Sequence, residues 1–193
     1  MSNKNLPEKI VVASGNAHKI EEIKAIFKGV ELVTMHEAGF DGDIEENGKT
    51  FKENAYIKAQ AVFDKLRLPV LADDSGLCVD ALDGAPGVYS ARFSGGTSAD
   101  NRALLLKRLE GVYQRSAHFT CSVCYIAADG KPVFGEGQTN GRILLEETGE
   151  KGFGYDSLFY SDDLQKSFGE ASESEKNSVS HRYRALCNLR EKL

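Results

Sequence analysis

Two pairs of neighbouring acidic residues have the chemistry for metal binding and for acid–base catalysis. Asp73 and Asp74 directly follow a short apolar run, and Glu45 and Glu46 lie in a polar stretch. Carboxylates from separate segments suit Mg²⁺, which takes a few protein oxygens and completes its coordination with water and substrate phosphate. Successive residues of a strand point to opposite faces, so we expect only one of the two aspartates to bind metal if the strand continues. A solvated acidic loop and a simple turn after the strand are the alternative.

A candidate phosphate-binding segment lies between an apolar run at residues 10–13 and a helical pattern that begins near residue 20. A turn from a strand into a helix presents unpaired backbone N–H groups and the positive end of the helix dipole, and both bind phosphate. A lysine in the first helical turn adds a mobile cation. The segment lacks the GxxxxGK[ST] and GxGxxG patterns, so an ordinary turn is the alternative. Its residues are Ser14, Gly15, Asn16, Ala17, His18 and Lys19.

A glycine-rich segment with two aromatic residues could recognise a nucleobase. Phe153 or Tyr155 could stack on a base, and Asp156 could accept a hydrogen bond from a ring N–H. Gly154 lies between the two aromatics, and Gly149 and Gly152 precede them. The alternative is that both aromatic side chains fill the core.

Basic residues near the C-terminus form a further candidate site. Lys176, His181 and Arg182 could bind phosphate and base. They could equally form the basic face of a C-terminal helix, where positive charge suits the helix dipole.

Two other patterns do not predict a site. Cys121 and Cys124 have CxxC spacing, but they lie in one apolar run, and residues three apart on a strand face opposite ways. We therefore do not expect a zinc or redox site. Ser75, Asp74 and a distant His181 have the residue types of a hydrolase triad, yet the surrounding residues do not match the GxSxG pattern.

Hydrophobic spacing predicts alternating helices and strands, with a hairpin late in the chain. Thr50 and Glu53 have the spacing of a capping box at a helix start, and Ser98 is the predicted cap of a later helix. The third strand is predicted to stop at Asp73. This order indicates an α/β domain with a mixed sheet. The predicted strands are 10–13, 31–35, 70–72, 118–127 and 131–137, and the predicted helices are 20–27, 50–66, 98–109 and 180–192.

Composition narrows the classes of protein. A chain of 193 residues predicts a single domain over 1–193, and 41% hydrophobic residues are enough for a substantial core. A formal net charge of −5 argues against a protein that holds nucleic acid through its phosphates. No run approaches the roughly 18 apolar residues of a membrane span, and the polar N-terminus does not resemble a signal peptide. Four scattered cysteines predict a reducing, cytoplasmic setting.

Six motifs occur in order along most of the chain, and together they resemble the inosine/xanthosine triphosphate pyrophosphatase family (XTP/dITP diphosphatases), in its bacterial branch. One such motif would be weak, whereas six in order are highly specific. The motifs are Ser14-Gly-Asn-Ala-His-Lys19, Glu45-Glu-Asn-Gly-Lys-Thr-Phe-Lys-Glu-Asn-Ala-Tyr-Ile-Lys-Ala59, Ala72-Asp-Asp-Ser-Gly-Leu77, Gly84-Ala-Pro-Gly-Val-Tyr-Ser-Ala-Arg-Phe93, Gly152-Phe-Gly-Tyr-Asp156 and Lys176-Asn-Ser-Val-Ser-His-Arg182.

The resemblance implies an elongated mixed-sheet α/β fold, with flanking helices and two lobes around a central cleft. It implies hydrolysis of ITP, dITP and XTP to the monophosphate and pyrophosphate with Mg²⁺, by a homodimer. By similarity, Glu45 and Asp74 hold the metal, and Asp74 is also the base that activates water. The expected substrate contacts are segment 14–19, Lys58, Ser75, Phe153 to Asp156, Lys176, His181 and Arg182.

One departure from the family pattern lies in the base-recognition loop. The family usually has Pro after Gly-Tyr-Asp, and this chain has Ser157. Since proline fixes φ, its replacement predicts a looser loop.

Competing functions are a nucleotide sensor without turnover, a serine hydrolase and a nucleic-acid binder. The set of Glu45, Asp74 and Lys19 argues against the sensor, because a protein that only binds needs no base beside the metal.

Overall fold

The computed structural model describes residues 7–27 and 29–193; residues 1–6 of the polar N-terminal segment and Lys28 lie outside the described residues. The strands are β1 (Lys9–Val12), β2 (Glu31–Thr34), β3 (Val70–Val79), β4 (Ser116–Ile126), β5 (Pro132–Ile143), β6 (Phe159–Ser161) and β7 (Lys166–Ser167). The helices are α1 (Ala17–Ile26), α2 (Phe51–Leu66), α3 (Ser98–Arg108), α4 (Glu173–Val179) and α5 (His181–Arg190), with short 3₁₀ turns at Asp80–Leu82, Gly87–Arg92 and Asp156–Leu158.

The strands form one mixed sheet in the order β2-β1-β3-β4-β5-β6-β7. Strand β1 runs parallel to both β2 and β3, with Val11 opposite Val33 on one side and Val70 on the other. Strand β6 is antiparallel to β5 and to β7. This arrangement confirms the predicted α/β class with a mixed sheet.

The described chain divides into two compact units. Unit 1 comprises Met1–Asp74, Cys121–Gly137 and Arg182–Leu193, and unit 2 comprises Ser75–Thr120 and Gln138–His181. The unit boundaries fall within β3, β4, β5 and α5, so three strands and one helix each contribute to both units.

Unit 1 has a hydrophobic core on each face of its part of the sheet, because the strand residues alternate. Ile10 and Val12 pack with residues of α1 and α5, including Ile23 and Leu186. The intervening Val11 packs instead with the cluster that contains α2. A parallel strand covered on both faces reads as a continuous apolar run, which is the pattern of residues 10–13.

Unit 2 has a single hydrophobic cluster rich in aromatic rings. Leu105 from α3 packs in the cluster with Leu77 of β3. The ring of Phe119 lies edge-on to that of Phe159, with the centroids 4.7 Å apart, and Phe168 packs beside both. Such pairs add about 0.5–1.5 kcal/mol each beyond the burial of their area.

The prediction that the third strand stops at Asp73 is wrong, and so is the alternative of a turn there. Strand β3 continues to Val79. Asp73 and Asp74 are buried strand residues, and each has polar partners on its own face of the sheet. Charged residues therefore interrupted the hydrophobic pattern without interrupting the strand.

Of the two predicted helix caps, the one at Thr50 is confirmed and the one at Ser98 is wrong. The capping box of Thr50 and Glu53 is confirmed. The predicted cap Ser98 is wrong, because Thr97 is extended and its hydroxyl accepts a hydrogen bond from the backbone N–H of Asp100 at 3.2 Å. The carboxylate of Asp100 in turn accepts from the backbone N–H of Thr97 at 2.8 Å.

The helix predicted over 180–192 is confirmed as α5, which begins at His181 and ends at Arg190, and the separate helix α4 before it was not predicted. Ser180 has extended backbone angles between α4 and α5, and Ser172 caps α4 with Glu175 as its partner. Within residues 7–27 and 29–193, no helix combines the length and the apolar character that crossing a membrane demands.

Candidate functional site

The turn from β1 into α1 presents exposed backbone at a helix N-terminus. Asn16 caps α1, since its side-chain oxygen accepts from the backbone N–H of Lys19 at 3.3 Å. The backbone N–H of Asn16 donates to the hydroxyl of Ser14 at 3.2 Å. Residues 15–18 are exposed. The predicted strand-to-helix turn is therefore confirmed, and phosphate binding by it stays a prediction.

Asp73 lies at the centre of a buried charge network in unit 1. The guanidinium of Arg182 donates to Asp73 Oδ2 from Nε and Nη2, at 3.1 and 3.0 Å, and Lys19 Nζ forms an ion pair with the same oxygen at 3.1 Å. Nη1 of Arg182 donates to Glu22. Two cations thus face two anions, and Arg182 is 1% exposed.

The surroundings of Asp73 keep it ionised. Burial acts to raise the pKa of this carboxyl, but the charges of Lys19, Arg182 and Lys58 outweigh burial and hold the pKa well below its usual range. For Arg182, burial acts to lower the pKa, and the anions Asp73 and Glu22 overcome it and raise the pKa. The predicted contact between Arg182 and a base stays a prediction; the contacts present are those that anchor the guanidinium.

Asp74 points to the opposite face of β3, towards α2. Its Oδ2 accepts a hydrogen bond from the side-chain amide of Asn54 at 3.0 Å. Lys58 Nζ lies 3.8 Å from Asp74 Oδ1 and 2.8 Å from Glu46 Oε2. The amide oxygen of Asn54 accepts from the backbone N–H of Gly48 at 2.8 Å. Asn54 therefore connects the loop that contains Gly48 to Asp74.

Burial and neighbouring charges shift the pKa values of Asp74 and Lys58. Burial raises the pKa of Asp74, against the opposing effect of Lys58 and Lys19. Burial acts to lower the pKa of Lys58, but Asp73, Asp74 and Glu46 outweigh it and raise that pKa. A buried carboxylate of raised pKa beside a lysine is the environment in which proteins place acid–base groups.

The predicted metal ligand Glu45 is exposed, whereas its neighbour Glu46 is the residue in contact with Lys58. In the described part of the chain, no three His, Cys, Asp or Glu side chains cluster as a metal site. Mg²⁺ is commonly held by one or two carboxylates together with water and phosphate. The hard carboxylate oxygens of Asp74 and of the 45–46 pair therefore fit this ion.

In unit 2, Asp156 organises the predicted base-recognition segment. Its Oδ2 accepts from Lys176 Nζ at 2.7 Å and from the backbone N–H of Phe153 at 2.8 Å. Lys176 Nζ also lies 4.4 Å from the ring centroid of Phe153. Asp156 and Lys176 are buried and Phe153 is half-buried. The structure thus brings together three predicted site residues.

Tyr155 is a core residue, as the alternative interpretation held. It is buried, and its hydroxyl donates to the carbonyl of Ser90 at 2.9 Å. The backbone around it is held by Arg102, whose Nη1 donates to the carbonyl of Gly154 at 3.0 Å. Ser157 donates to Glu147 at 3.0 Å, an attachment that the expectation of a looser loop did not include.

The remaining predicted residues of unit 2 are Ser75, half-buried in β3, and His181, buried at the start of α5. The His181 ring stacks on Phe119, with the centroids 4.8 Å apart and the planes 13° from parallel. The cysteines behave as predicted from strand alternation, since Cys121 and Cys124 belong to different core clusters.

With this geometry in view, comparison with known proteins identifies the family. The model of the Ham1 family matches residues 10–192. The chain belongs to the Ham1 family. A Clostridium perfringens protein named dITP/XTP pyrophosphatase is 43% identical over 198 residues, which span 96% of this chain and 97% of that protein.

Further Ham1-family relatives agree. A dITP/XTP pyrophosphatase of Thermoanaerobacter pseudethanolicus is 47% identical, with 94% of each chain covered. The structure of the Staphylococcus aureus Ham1 protein matches with a TM-score of 0.87 at 39% identity, covering 95% of this chain and 97% of that one. The predicted membership of a pyrophosphatase family is confirmed.

Three polar residues of these clusters were not predicted from the sequence, namely Glu22, Asn54 and Arg102. Glu22 and Asn54 are buried on helix faces that otherwise carry apolar residues. A charged or amide residue at an apolar position of a helix signals a buried partner, because such groups are rarely buried unpaired. Arg102 gives no comparable signal, since it is only half-buried in α3, as arginines on a helix surface commonly are.

Proposed function

We propose that this Ham1-family chain hydrolyses the triphosphates of non-standard purines, dITP, XTP and ITP, to the nucleoside monophosphate and pyrophosphate. The observation that carries the proposal is the environment of Asp74. Its buried carboxylate is oriented by Asn54 and lies beside Lys58, in a chain whose relatives are named dITP/XTP pyrophosphatases.

Asp74 acts in this proposal as the general base. The oxygen of a water molecule bonds to the α-phosphorus while its proton passes to the carboxylate of Asp74. The bond from the α-phosphorus to the bridging oxygen breaks, and pyrophosphate leaves. Asn54 fixes the orientation of the carboxylate through the hydrogen bond to Oδ2. A positioned base of this kind contributes about 10²–10⁴-fold to a rate.

Cationic side chains and backbone N–H groups bind the phosphates. Lys19 in α1 and Lys58 in α2 supply positive charge, and segment 14–19 supplies exposed N–H groups at a helix start. Phosphoryl transfer depends mainly on such electrostatic stabilisation and on positioning.

Asp74 and Glu45 are the proposed Mg²⁺ ligands. When bound, the ion would neutralise phosphate charge and polarise the phosphoryl group whose phosphorus is attacked. Glu46 contributes by holding Lys58 next to Asp74.

Three residues are the proposed base-recognition groups, namely Phe153, Lys176 and His181. Phe153 stacks on the purine, and Lys176 and His181 donate hydrogen bonds to the 6-oxo group that inosine and xanthosine carry. Adenine has an amino group at that position, so the donors of the protein would face another donor and no hydrogen bond would form. A site built to pair one polar group can reject an analogue by up to about 10⁴–10⁵. The resemblance further supports a homodimer, which sedimentation of the purified protein tests.

A substrate panel tests the proposed function. Purified protein is given dITP, XTP, ITP and the four standard deoxynucleoside triphosphates, with Mg²⁺ or with EDTA, and pyrophosphate and orthophosphate are both measured. We expect pyrophosphate from the three 6-oxo substrates with Mg²⁺, and little with EDTA. Release of orthophosphate, or equal rates on dATP and dITP, would contradict the proposal.

A further inference from the structure

Three side chains of unit 2 form a bridge across one side of the loop that contains Phe153. Glu147 Oε2 accepts from the hydroxyl of Ser157 at 3.0 Å and lies 2.9 Å from Arg102 Nε. The other arm of the Arg102 guanidinium, Nη1, donates to the carbonyl of Gly154 at 3.0 Å. Arg102, Glu147 and Ser157 are called the Glu147 bridge below.

The Glu147 bridge attaches to both ends of a four-residue stretch. Its anchors are the carbonyl of Gly154 and the side chain of Ser157, and Tyr155 and Asp156 lie between them. Arginine suits this task because its rigid planar fork binds two acceptors at once, which lysine does not do.

Because the side chains of the Glu147 bridge are partly exposed, we expect the bridge to affect the position of the loop more than the free energy of unfolding. The Glu147 side chain is 46% exposed and that of Arg102 20% exposed. Exposed ion pairs contribute little to the free energy of unfolding. The core contacts of Tyr155 keep the loop folded, so the bridge is left to define where the backbone of 154–157 lies.

That backbone determines the position of the proposed base-binding groups. Asp156 lies inside the bridged stretch, and its carboxylate holds both Lys176 and the backbone N–H of Phe153. A displacement of residues 154–157 therefore also displaces the ring of Phe153 and the ammonium group of Lys176.

We propose that Arg102, Glu147 and Ser157 are positioning residues that set the affinity for the purine base without touching it. This inference rests on the proposed function, and it deepens it by naming residues that govern base affinity.

The test is steady-state kinetics on dITP with Ser157→Ala, Glu147→Ala, Arg102→Ala and Arg102→Lys. In the three alanine variants we expect KM to rise about threefold to tenfold, which is the effect of one lost hydrogen bond. The value of kcat should stay within about twofold of the wild type. Arg102→Lys should be intermediate, because an ammonium group reaches one of the two acceptors. The double variant Glu147→Ala with Ser157→Ala should have the same KM as Glu147→Ala alone, because removal of Glu147 already removes the partner of Ser157.

Unit 2 contains a matched control. Ser116 donates to Asp80 at 2.6 Å, and His118 lies 3.8 Å from the same carboxylate, again a hydroxyl, an acid and a basic group. Ser116→Ala and Asp80→Ala should leave KM unchanged, with melting temperatures close to those of the bridge variants.

The possible outcomes separate the inference from the proposed function. If the wild-type protein releases no pyrophosphate from dITP, the proposed function fails and the inference fails with it. If the wild type is active and the bridge variants keep the wild-type KM, or the control variants raise KM equally, the inference is wrong and the function stands. A lower melting temperature with unchanged KM likewise contradicts it, because that is the signature of a structural role alone.

Discussion

Asp73 and Asp74 are adjacent in the chain and have opposite surroundings. Asp73 is enclosed by Lys19 and Arg182, with no exposed side-chain surface. Asp74 keeps 11% of its side-chain surface exposed and has an amide and a more distant lysine as partners. Replacing each carboxylate by its amide should therefore have different consequences.

For Asp74→Asn we expect hydrolysis to fall by at least about 10²-fold while the fold is kept, because the amide retains the shape but accepts no proton. Pyrophosphate release at saturating nucleotide and circular dichroism measure the two effects. Near-normal kcat in a folded variant would remove Asp74 from the role of base.

For Asp73→Asn we expect the free energy of unfolding to fall by about 3–5 kcal/mol, because the buried Arg182 and the half-buried Lys19 lose an anionic partner. Urea denaturation measures the loss, with Asp74→Asn as the matched control one residue away. A loss no larger than that of the control would show that the network contributes little to stability.

At the scale of elements, the start of α3 offers a direct comparison of two neighbouring hydroxyl residues. Thr97→Ala should reduce the free energy of unfolding by about 1 kcal/mol, since it removes an N-cap. Ser98→Ala, inside the helix, should change it by less than about 0.5 kcal/mol. Thermal or urea unfolding of both variants checks this order, and the reverse order would restore Ser98 as the cap.

The start of α4 carries a pH-dependent contribution to stability. Lys166, and then the backbone N–H and hydroxyl of Ser172, lower the pKa of Glu175 from 4.5 to about 2. A lowered pKa in the folded state stabilises the protein above the unfolded value, and the effect is lost as pH falls through the folded value. The stabilisation from Glu175 should therefore decline from pH 4.5 towards about pH 2.

Melting temperatures of the wild type and of Glu175→Gln, measured from about pH 6 to about pH 3, test this. The difference between them should shrink as the pH falls. Lys166→Ala removes the largest cause and should move the decline to higher pH. A difference independent of pH would contradict the assignment.

Elements with a local signal could be predicted from the sequence. The spacing of Thr50 and Glu53 specifies a cap within one turn, and the helix α2 follows. The full length of β3 could not be predicted, because Asp73 and Asp74 are polar and the charges that compensate for their burial lie on distant segments, at Lys19, Lys58 and Arg182.

The same limit applied to the site. Five of the predicted site residues lie in local clusters, and their roles stay predictions; they are Lys19, Lys58, Phe153, Asp156 and Lys176. The pairing of each cation with its anion could not be predicted, since hydrogen bonds such as that from Arg182 to Asp73 join residues 109 apart.

At the scale of the whole molecule, the chain builds unit 1 from three separate stretches. The last stretch supplies Arg182, Ala185, Leu186 and Leu189, all buried. Loss of one buried leucine side chain costs about 2–5 kcal/mol, and a domain is stable by about 5–15 kcal/mol.

A chain ending at His181 should therefore lack the native fold, as judged by near-ultraviolet circular dichroism and rapid proteolysis. A chain ending at Leu189 keeps these four side chains and should fold. A stable, protease-resistant product from the shorter chain would contradict the contribution of α5 to the core of unit 1.

The placement of the four thiols gives each unit its own attachment point for a probe. Cys121 and Cys124 are buried, and burial raises the pKa of Cys124 to about 12, so neither is reactive in the native protein. Cys78 in unit 2 and Cys187 in unit 1 are half-buried. A maleimide reagent added to the native protein should therefore modify these two natural cysteines and leave Cys121 and Cys124 unmodified, with no cysteine introduced or removed.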